Sequence, residues 1–217
     1  FESIWFPEHT HIPASRETAY PGGGPLPKEY IHMSDPFTSA AAAAVVTKTI
    51  KIGTGVCLVI EHDPLALAKT VATIDRLSNG RFILGVGAGW NAEEMENHGT
   101  PYSKRWKVLE ERVKAMKALW TQEEASFKGD WVNFEKVWSY PKPVQKPHPP
   151  VIIGTFGSKW GCQRVADYAE GWIPIDGLMT SLDDSIADLH ARLRENGRKP
   201  EDAPISMFDI YETSEDD

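Results

Sequence analysis

Short runs of apolar residues recur along the chain, and a longer amphipathic or alanine-rich segment follows most of them. The runs are rich in β-branched residues and are bounded by Gly, Pro, Asn or Asp, which is typical of buried strands. This pattern predicts six strands, at about 3–7, 49–59, 82–86, 151–153, 171–175 and 205–211. Strands that alternate with helices indicate a parallel sheet, as found in doubly wound α/β folds and in TIM barrels.

The helix starts are marked by capping residues. Asp35-Pro36 and Asp63-Pro64 each pair an N-cap aspartate with a proline at the first helical position. The helix after Asp63 is expected to bury one apolar face, formed by Leu67, Val71, Ile74 and Leu77. Further helices are predicted at about 103–120, from after Ser158 to about Glu170, and from Ser181 to Gly197. Residues 12–33 read as a long loop, and the five prolines of 141–150 predict a rigid linker.

The stretch Arg81–Glu94 combines a strand, a glycine-rich segment and a helix start. Asn91 is a good N-cap, and Glu94 stands three residues later, where a capping pair places its acid. Glu93 and Glu94 are therefore expected only to cap this helix. The dinucleotide fingerprint needs a third glycine where this chain has Trp90, which excludes a Rossmann phosphate site here.

Composition narrows the class of protein. Hydrophobic residues make up 41% and charged residues 25% of the 217, as expected for a soluble globular protein. The net charge of -8 argues against nucleic-acid binding. No apolar run approaches the roughly 20 residues that a membrane span needs. Two cysteines fit a reducing cytoplasm, and their spacing matches no zinc motif.

Four unusual segments follow predicted strands. They are Glu8-His9, residues 53–56, residues 85–89 and residues 154–158. Ligands gather at the carboxyl ends of parallel strands in both candidate folds. The sequence therefore predicts one ligand site at this edge of the sheet.

Several segments, in this order, resemble the luciferase-like monooxygenase superfamily, and more closely its branch that depends on the deazaflavin coenzyme F420. The segments are 3–9, 51–56 with Asp63-Pro64, 75–82, 84–90, 116–120 and 141–150. The resemblance implies one TIM-barrel domain over 1–217, with an insertion at about 121–150. Family members carry a further strand at each end, so the chain is expected to be a fragment that lacks the first and last strands.

The resemblance also implies roles for particular residues. His9 would be the acid/base or orienting group, with Glu8 tuning it. The peptide bond between Gly55 and Val56 is implied to be cis, although no proline is involved. It would lie in a bulge that supports the cofactor ring together with Thr54. The residues implied beside the ring are Gly87, Ala88, Gly89 and Trp90, and those implied to bind phosphate are Gly154, Thr155, Phe156, Gly157 and Ser158. Two of these depart from the family pattern: Trp90 replaces the glutamate of sugar-phosphate dehydrogenases, and Thr155 replaces a frequent glycine.

The implied activity is hydride transfer between coenzyme F420 and a small organic substrate, in a cytoplasmic homodimer whose loop at 12–33 sets the substrate. Three alternatives remain. FMN in the same site would support a monooxygenase. His9-Thr10-His11 resembles the zinc pair of barrel hydrolases, but His148 and His190 do not follow strands, so no metal is expected. The third is a flavin-binding protein without turnover, or an inactive fragment.

Overall fold

The computed structural model describes residues 1–174 and 181–207. Contacts within the chain divide it into two compact units, Phe1–Pro149 and Pro150–Asp217. Each unit contains parallel strands with helices between them, which confirms the α/β class. The prediction of a single domain with one insertion stays a prediction.

The first unit is built on three parallel strands, β1 (Ser3–Phe6), β2 (Lys51–Thr54) and β3 (Phe82–Val86). Two helices connect them in turn, α1 (Pro36–Val46) and α2 (Pro64–Leu77). Both helices begin as predicted, because the side chains of Asp35 and Asp63 accept hydrogen bonds from backbone N–H groups of the first turn.

Apolar residues of these strands and helices form the core of the first unit. Ile52, Phe82 and Leu84 are fully buried in the strands. On α2 the predicted face is confirmed at Leu67, Val71 and Ile74, which are at most 3% exposed. Leu77 was predicted for the same face and is 49% exposed, because it lies in the last turn, where the helix ends.

The predicted strand at 49–59 was too long. β2 ends at Thr54, and the chain then passes through a cis peptide at Gly55-Val56 and a short 3-10 helix, Val59–Glu61. A continuous run of apolar residues misled the prediction, since a buried 3-10 turn and a buried strand have the same composition.

The rest of the first unit follows β3. A short helix, α3 (Ala92–Asn97), precedes a long one, α4 (Arg105–Thr121). The predicted extended excursion is an antiparallel hairpin, β4 (Ala125–Lys128) with β5 (Asn133–Val137). The proline-rich linker is held by Asp75, which is fully buried and accepts hydrogen bonds from the backbone N–H groups of Val144 and Gln145.

The second unit pairs β6 (Val151–Gly154) with β7 (Gly171–Ile173) in parallel, with α5 (Lys159–Tyr168) between them and α6 (Leu182–Glu195) after them. The predicted strand at 205–211 is represented by one parallel bridge, between Trp172 and Ile205. Residues 208–211 of that prediction, and residue 175 of the strand before it, lie outside the described residues.

The described residues hold five strands with parallel partners, β1, β2 and β3 in the first unit and β6 and β7 in the second. Eight close a TIM barrel, so the described strands do not form a complete one. That the chain lacks a first and a last strand stays a prediction. Within the described part of the chain, no helix is both long and apolar enough to cross a bilayer.

Candidate active site

The ends of β2 and β3 form one wall of the candidate site in the first unit. The cis peptide predicted at Gly55-Val56 is present. Beyond it, Cys57 donates from its backbone N–H to Gly85 O, and Gly87 donates to Cys57 O, at 2.7 and 2.9 Å. A methyl group on Gly87 would lie 2.6 Å from Val56 Cγ2, so only glycine permits this approach.

The wall exposes a small part of its surface. Gly55, Val56 and Gly89 are half-buried, whereas Gly87 and Ala88 are buried. Thr54 is fully buried, and its hydroxyl donates to Gly85 O at 2.7 Å, so its side chain ties β2 to β3. The predicted cofactor contacts of these residues stay predictions.

Trp90 and Asn91 lie where the wall meets α3. Gly89 has a φ of +64°, which turns the chain towards the helix. The Asn91 side chain accepts a hydrogen bond from the Glu94 backbone N–H at 3.4 Å, as the predicted cap requires. The amide nitrogen of Asn91 is buried and has no hydrogen-bond partner among the described residues.

The expectation that Glu93 and Glu94 only cap α3 was wrong. Glu94 directs its carboxylate to His9, with Oε2 at 2.7 Å from Nδ1, and the two side chains are 1% and 6% exposed. A carboxylate accepts the Nδ1 proton, so the neutral imidazole presents Nε2 as its acceptor. The capping spacing that drew attention to Glu94 did not reveal this second partner, which lies 85 residues away in sequence.

Glu93 holds the long loop in place. Its Oε1 accepts hydrogen bonds from the backbone N–H groups of Glu17 and Thr18, at 2.5 and 3.0 Å. The Thr18 hydroxyl donates to Oε2 at 2.6 Å. These donors, that hydroxyl first, lower the pKa of Glu93 to about 2. Residues 12–33 are therefore fastened to α3, and they include a 3-10 helix, Lys28–His32.

Two aromatic rings lie beside His9, Tyr30 from this loop and Trp90 from the segment between β3 and α3. The centroid of the Tyr30 ring lies 5.3 Å from that of His9, and the Trp90 ring lies 5.6 Å away, edge-on. Tyr20 contacts both Tyr30 and Trp90. Burial, assisted by the neighbouring Tyr20, raises the pKa of the Tyr30 phenol, so this group stays neutral at ordinary pH. Sequence reasoning did not single out Tyr30.

Glu8 lies on another side of the site. Its Oε2 accepts a hydrogen bond from the Leu58 backbone N–H at 2.6 Å, and its Oε1 lies 2.8 Å from His62 Nε2.

Burial, and then the charge of Glu8, raise the pKa of the Cys57 thiol. Ligand-type atoms of Glu8, Cys57 and His62 lie within 4.8 Å of one another. We interpret this group as a hydrogen-bonded network, because both oxygens of Glu8 already have partners. The predicted action of Glu8 on His9 stays a prediction.

His9 and His11 do not converge on one point. His9 pairs with Glu94, whereas His11 contacts the Thr10 hydroxyl and the Asn97 side-chain nitrogen, at 2.9 Å each. The two imidazoles therefore lack the shared geometry of a zinc pair.

The loop predicted to bind phosphate belongs to the second unit. Gly154 ends β6, and the backbone N–H of Thr155 donates to Ile173 O at 3.2 Å. Ser158 caps α5 by accepting a hydrogen bond from Gly161 N at 3.1 Å, and Phe156 is 47% exposed. Phosphate binding by residues 154–158 stays a prediction, supported by the helix N-terminus that follows them.

Comparison with known proteins matches most of this chain to one family and to a relative of substantial identity. The family model for luciferase-like monooxygenases matches residues 1–214. An uncharacterised protein of Mycobacterium tuberculosis is 47% identical over 176 residues, covering 80% of this chain. The aligned part spans 62% of that relative's own length.

Two relatives with named activities use different cofactors. An FMNH(2)-dependent dimethylsulfone monooxygenase of Pseudomonas putida is 33% identical over 62% of this chain and 38% of its own. An F420-dependent glucose-6-phosphate dehydrogenase of Amycolatopsis mediterranei is 32% identical over 72% of this chain and 44% of its own. The structure of an F420-dependent secondary alcohol dehydrogenase superposes with a TM-score of 0.75 at 23% identity, over 95% of this chain and 59% of that one.

Proposed function

The chain belongs to the luciferase-like monooxygenase family, and on this premise we propose that it is an oxidoreductase that transfers hydride between coenzyme F420 and a small organic molecule. The single observation that carries the proposal is the buried pair of His9 and Glu94, 2.7 Å apart, among the rings of Tyr30 and Trp90. A hydride transfer to or from an alcohol or carbonyl needs a proton to move as well, and this pair can move one.

Features of the wall support a planar cofactor. Gly55, Val56 and Gly89 are half-buried, and the aromatic Trp90 follows Gly89, which suits a flat heteroaromatic molecule. The buried amide nitrogen of Asn91, the residue after Trp90, is an unsatisfied donor that a ring carbonyl would satisfy. In the second unit we propose that residues 154–158, at the N-terminus of α5, bind a phosphate group.

The protein's own contribution is proton transfer and orientation. When bound, the deazaflavin supplies a two-electron hydride carrier. Glu94 fixes the His9 ring by accepting its Nδ1 proton, which leaves Nε2 to take a proton from a substrate hydroxyl or to return it to a carbonyl oxygen. Tyr20, Tyr30 and Trp90 exclude water from the imidazole and so strengthen its electrostatic interactions.

FMN is the second candidate cofactor, and a specific comparison favours it, because the Pseudomonas putida relative is FMNH(2)-dependent. Oxygen chemistry would then replace hydride transfer. The loop from Tyr20 to Pro25 and the pair Gly89-Trp90 are closer to the deazaflavin branch, which is why we place F420 first. Trp90 also argues against a sugar-phosphate substrate, despite the activity of the Amycolatopsis relative.

The proposal is tested by titrating the purified protein with F420 and, separately, with FMN, and following the fluorescence of each cofactor. We expect F420 to bind more tightly. Trp90→Ala should weaken binding by about fivefold, since an aromatic contact contributes roughly 1 kcal/mol. Trp138→Ala is the matched control, because Trp138 is 76% exposed and outside the site.

Preference for FMN would support the monooxygenase alternative, and binding without turnover would support a non-catalytic protein. Binding of neither cofactor would contradict the proposal.

A further inference from the structure

Three carboxyl groups are buried together in the first unit, on Glu8, Glu61 and Glu94. Two of them have clear partners: Glu8 has Leu58 and His62, and Glu94 has His9. The Glu61 side chain is 1% exposed, and neither of its oxygens has a hydrogen-bond partner of normal geometry among the described residues. The imidazole of His98 lies nearby, with its Nε2 3.7 Å from Oε2 of Glu61.

Three adjacent buried carboxylates cannot all be ionised cheaply, because each charge loses hydration and repels the others. Both oxygens of Glu8 and one oxygen of Glu94 have hydrogen-bond partners, whereas the oxygens of Glu61 have none of normal geometry among the described residues. Burial, and then the charges of Glu94 and Glu8, raise the pKa of Glu61 to about 8, although the Thr10 hydroxyl opposes the shift. Glu61 is therefore the member of the group that holds a proton at neutral pH.

The carboxyl group of Glu61 is buried, and its route to solvent runs past His98 at the edge of a surface cavity. Together with His62, His98 and Arg112, Glu61 lines this cavity of about 380 Å³. The His98 side chain is 27% exposed, and its Nε2 lies 2.8 Å from the Thr10 hydroxyl. Burial, and then the neighbouring His11, lower the pKa of His98, so it is neutral at neutral pH and can accept a proton.

The charged and titratable groups around Glu61 come from every neighbouring element. They are Glu8 after β1, Cys57 and His62 after β2, Asp63 at the start of α2, Glu94 and His98 on and after α3, and Arg112 on α4. The Arg112 guanidinium donates to Val59 O at 3.0 Å. Among these groups, Glu94 interacts electrostatically with Glu61 and also contacts the imidazole of His9, so it couples the two.

We propose that Glu61 is a positioning residue that exchanges its proton with water in this cavity and thereby compensates changes of charge on His9. When His9 Nε2 gains a proton from the substrate, the O–H bond of Glu61 breaks and the proton leaves through His98 to solvent. When His9 returns its proton, Glu61 takes one up. The buried cluster keeps the same net charge in both states. The proposal rests on the proposed role of His9.

The test is an NMR titration of the cofactor-free protein, which needs no turnover. Ring ¹⁵N shifts of His9 should show an inflection near pH 8, where Glu61 ionises. Glu61→Gln keeps the shape of the side chain without a titrating proton and should remove that inflection. Glu96→Gln is the matched control and should leave it, because Glu96 lies on the same helix as Glu94 and is exposed. An inflection that persists in Glu61→Gln, or none in the wild type, would overturn the proposal.

Two further measurements separate this proposal from the proposed function and from misfolding. Infrared difference spectra of the wild type should show a protonated carboxyl group that disappears through pH 8, whatever the variants do. In turnover assays, the pH profile of the wild type should change through pH 8, and that of Glu61→Gln should be flat there.

If His9→Ala retains full turnover while the NMR inflection is present, the proposed function fails and the coupling of Glu61 to His9 remains. If the infrared band is absent, the inference about Glu61 fails.

Discussion

The Nδ1 atom of His9 lies 2.7 Å from Oε2 of Glu94, and neither side chain is more than 6% exposed. The proximity of a buried imidazole and a buried carboxylate fixes both the orientation and the tautomer of the imidazole. His9→Ala should reduce turnover about a hundredfold or more while leaving cofactor binding largely intact. The measurement is steady-state kinetics alongside cofactor titration. Unchanged turnover would remove His9 from the proposed chemistry.

Glu94→Gln should have a smaller effect in the same assay. The amide can hold the ring, but it carries no charge to stabilise a protonated imidazole, so we expect a loss of about ten- to a hundredfold in kcat with a similar KM. Glu96→Gln is the matched control, because Glu96 is on the same helix and is exposed. Equal effects of the two variants would show that the carboxylate of Glu94 has no special role.

The attachment of the loop at Glu93 should be visible by limited proteolysis. Glu93→Gln weakens the hydrogen bonds to Glu17 and Thr18, so cleavage within residues 12–33 should become faster than in the wild type. The pKa of Glu93 is lowered to about 2, so its contribution is complete above the ordinary value near 4.5 and is lost as pH falls through 2. Cleavage of the wild-type loop by an acid protease should therefore accelerate over that interval.

Glu61 should make the free energy of unfolding depend on pH. Its pKa is raised from 4.5 to about 8, so between these values the folded protein holds a proton that the unfolded chain has released. Its contribution is greatest below pH 4.5 and falls as pH rises through 8, by on the order of 5 kcal/mol. Urea denaturation at pH 5 and pH 8.5 should show a smaller pH difference for Glu61→Gln than for the wild type. Glu96→Gln should retain the wild-type difference.

Asp75 should be important for stability, because it is fully buried and fastens the proline-rich linker. Its two oxygens accept hydrogen bonds from Val144 N, Gln145 N and Gln145 Nε2, at 2.7, 3.0 and 2.6 Å. Asp75→Asn places an amide donor against these donors and should lower the free energy of unfolding by about 2–4 kcal/mol. Asp188→Asn, which removes a partly exposed pair with Arg192, should cost less than about 1 kcal/mol.

Local signals in the sequence predicted much of this fold. The N-caps at Asp35, Asp63 and Asn91 mark real helix starts, because a capping side chain acts on residues only two or three positions away. β3 was predicted with the observed bounds for the same reason, since glycines and Asn79-Gly80 delimit it on both sides. β2 was overestimated because burial alone does not distinguish a strand from a 3-10 turn.

The candidate site was predicted less completely, because its contacts join distant segments. His9 was identified, but its partner was not, since a glutamate at a capping position has an adequate local explanation. Tyr30 and Glu61 carried no local signal: one lies in a loop and the other in an apolar run. Their importance depends on which groups the fold places beside them, and a single sequence does not contain that information.

Glu93 and Glu94 are consecutive residues of a six-residue helix, one bound to the long loop and the other to His9. So short a helix cannot shift one of these side chains and leave the other where it is. Exchanging residues 12–33 for the loop of a relative, to obtain a new substrate range, would therefore also disturb the imidazole. A graft that keeps the hydroxyl at position 18 and the N–H groups at 17 and 18 preserves the geometry of the imidazole. The conformation of the loop at 12–33 and the orientation of the His9 imidazole are thus not independent in this protein.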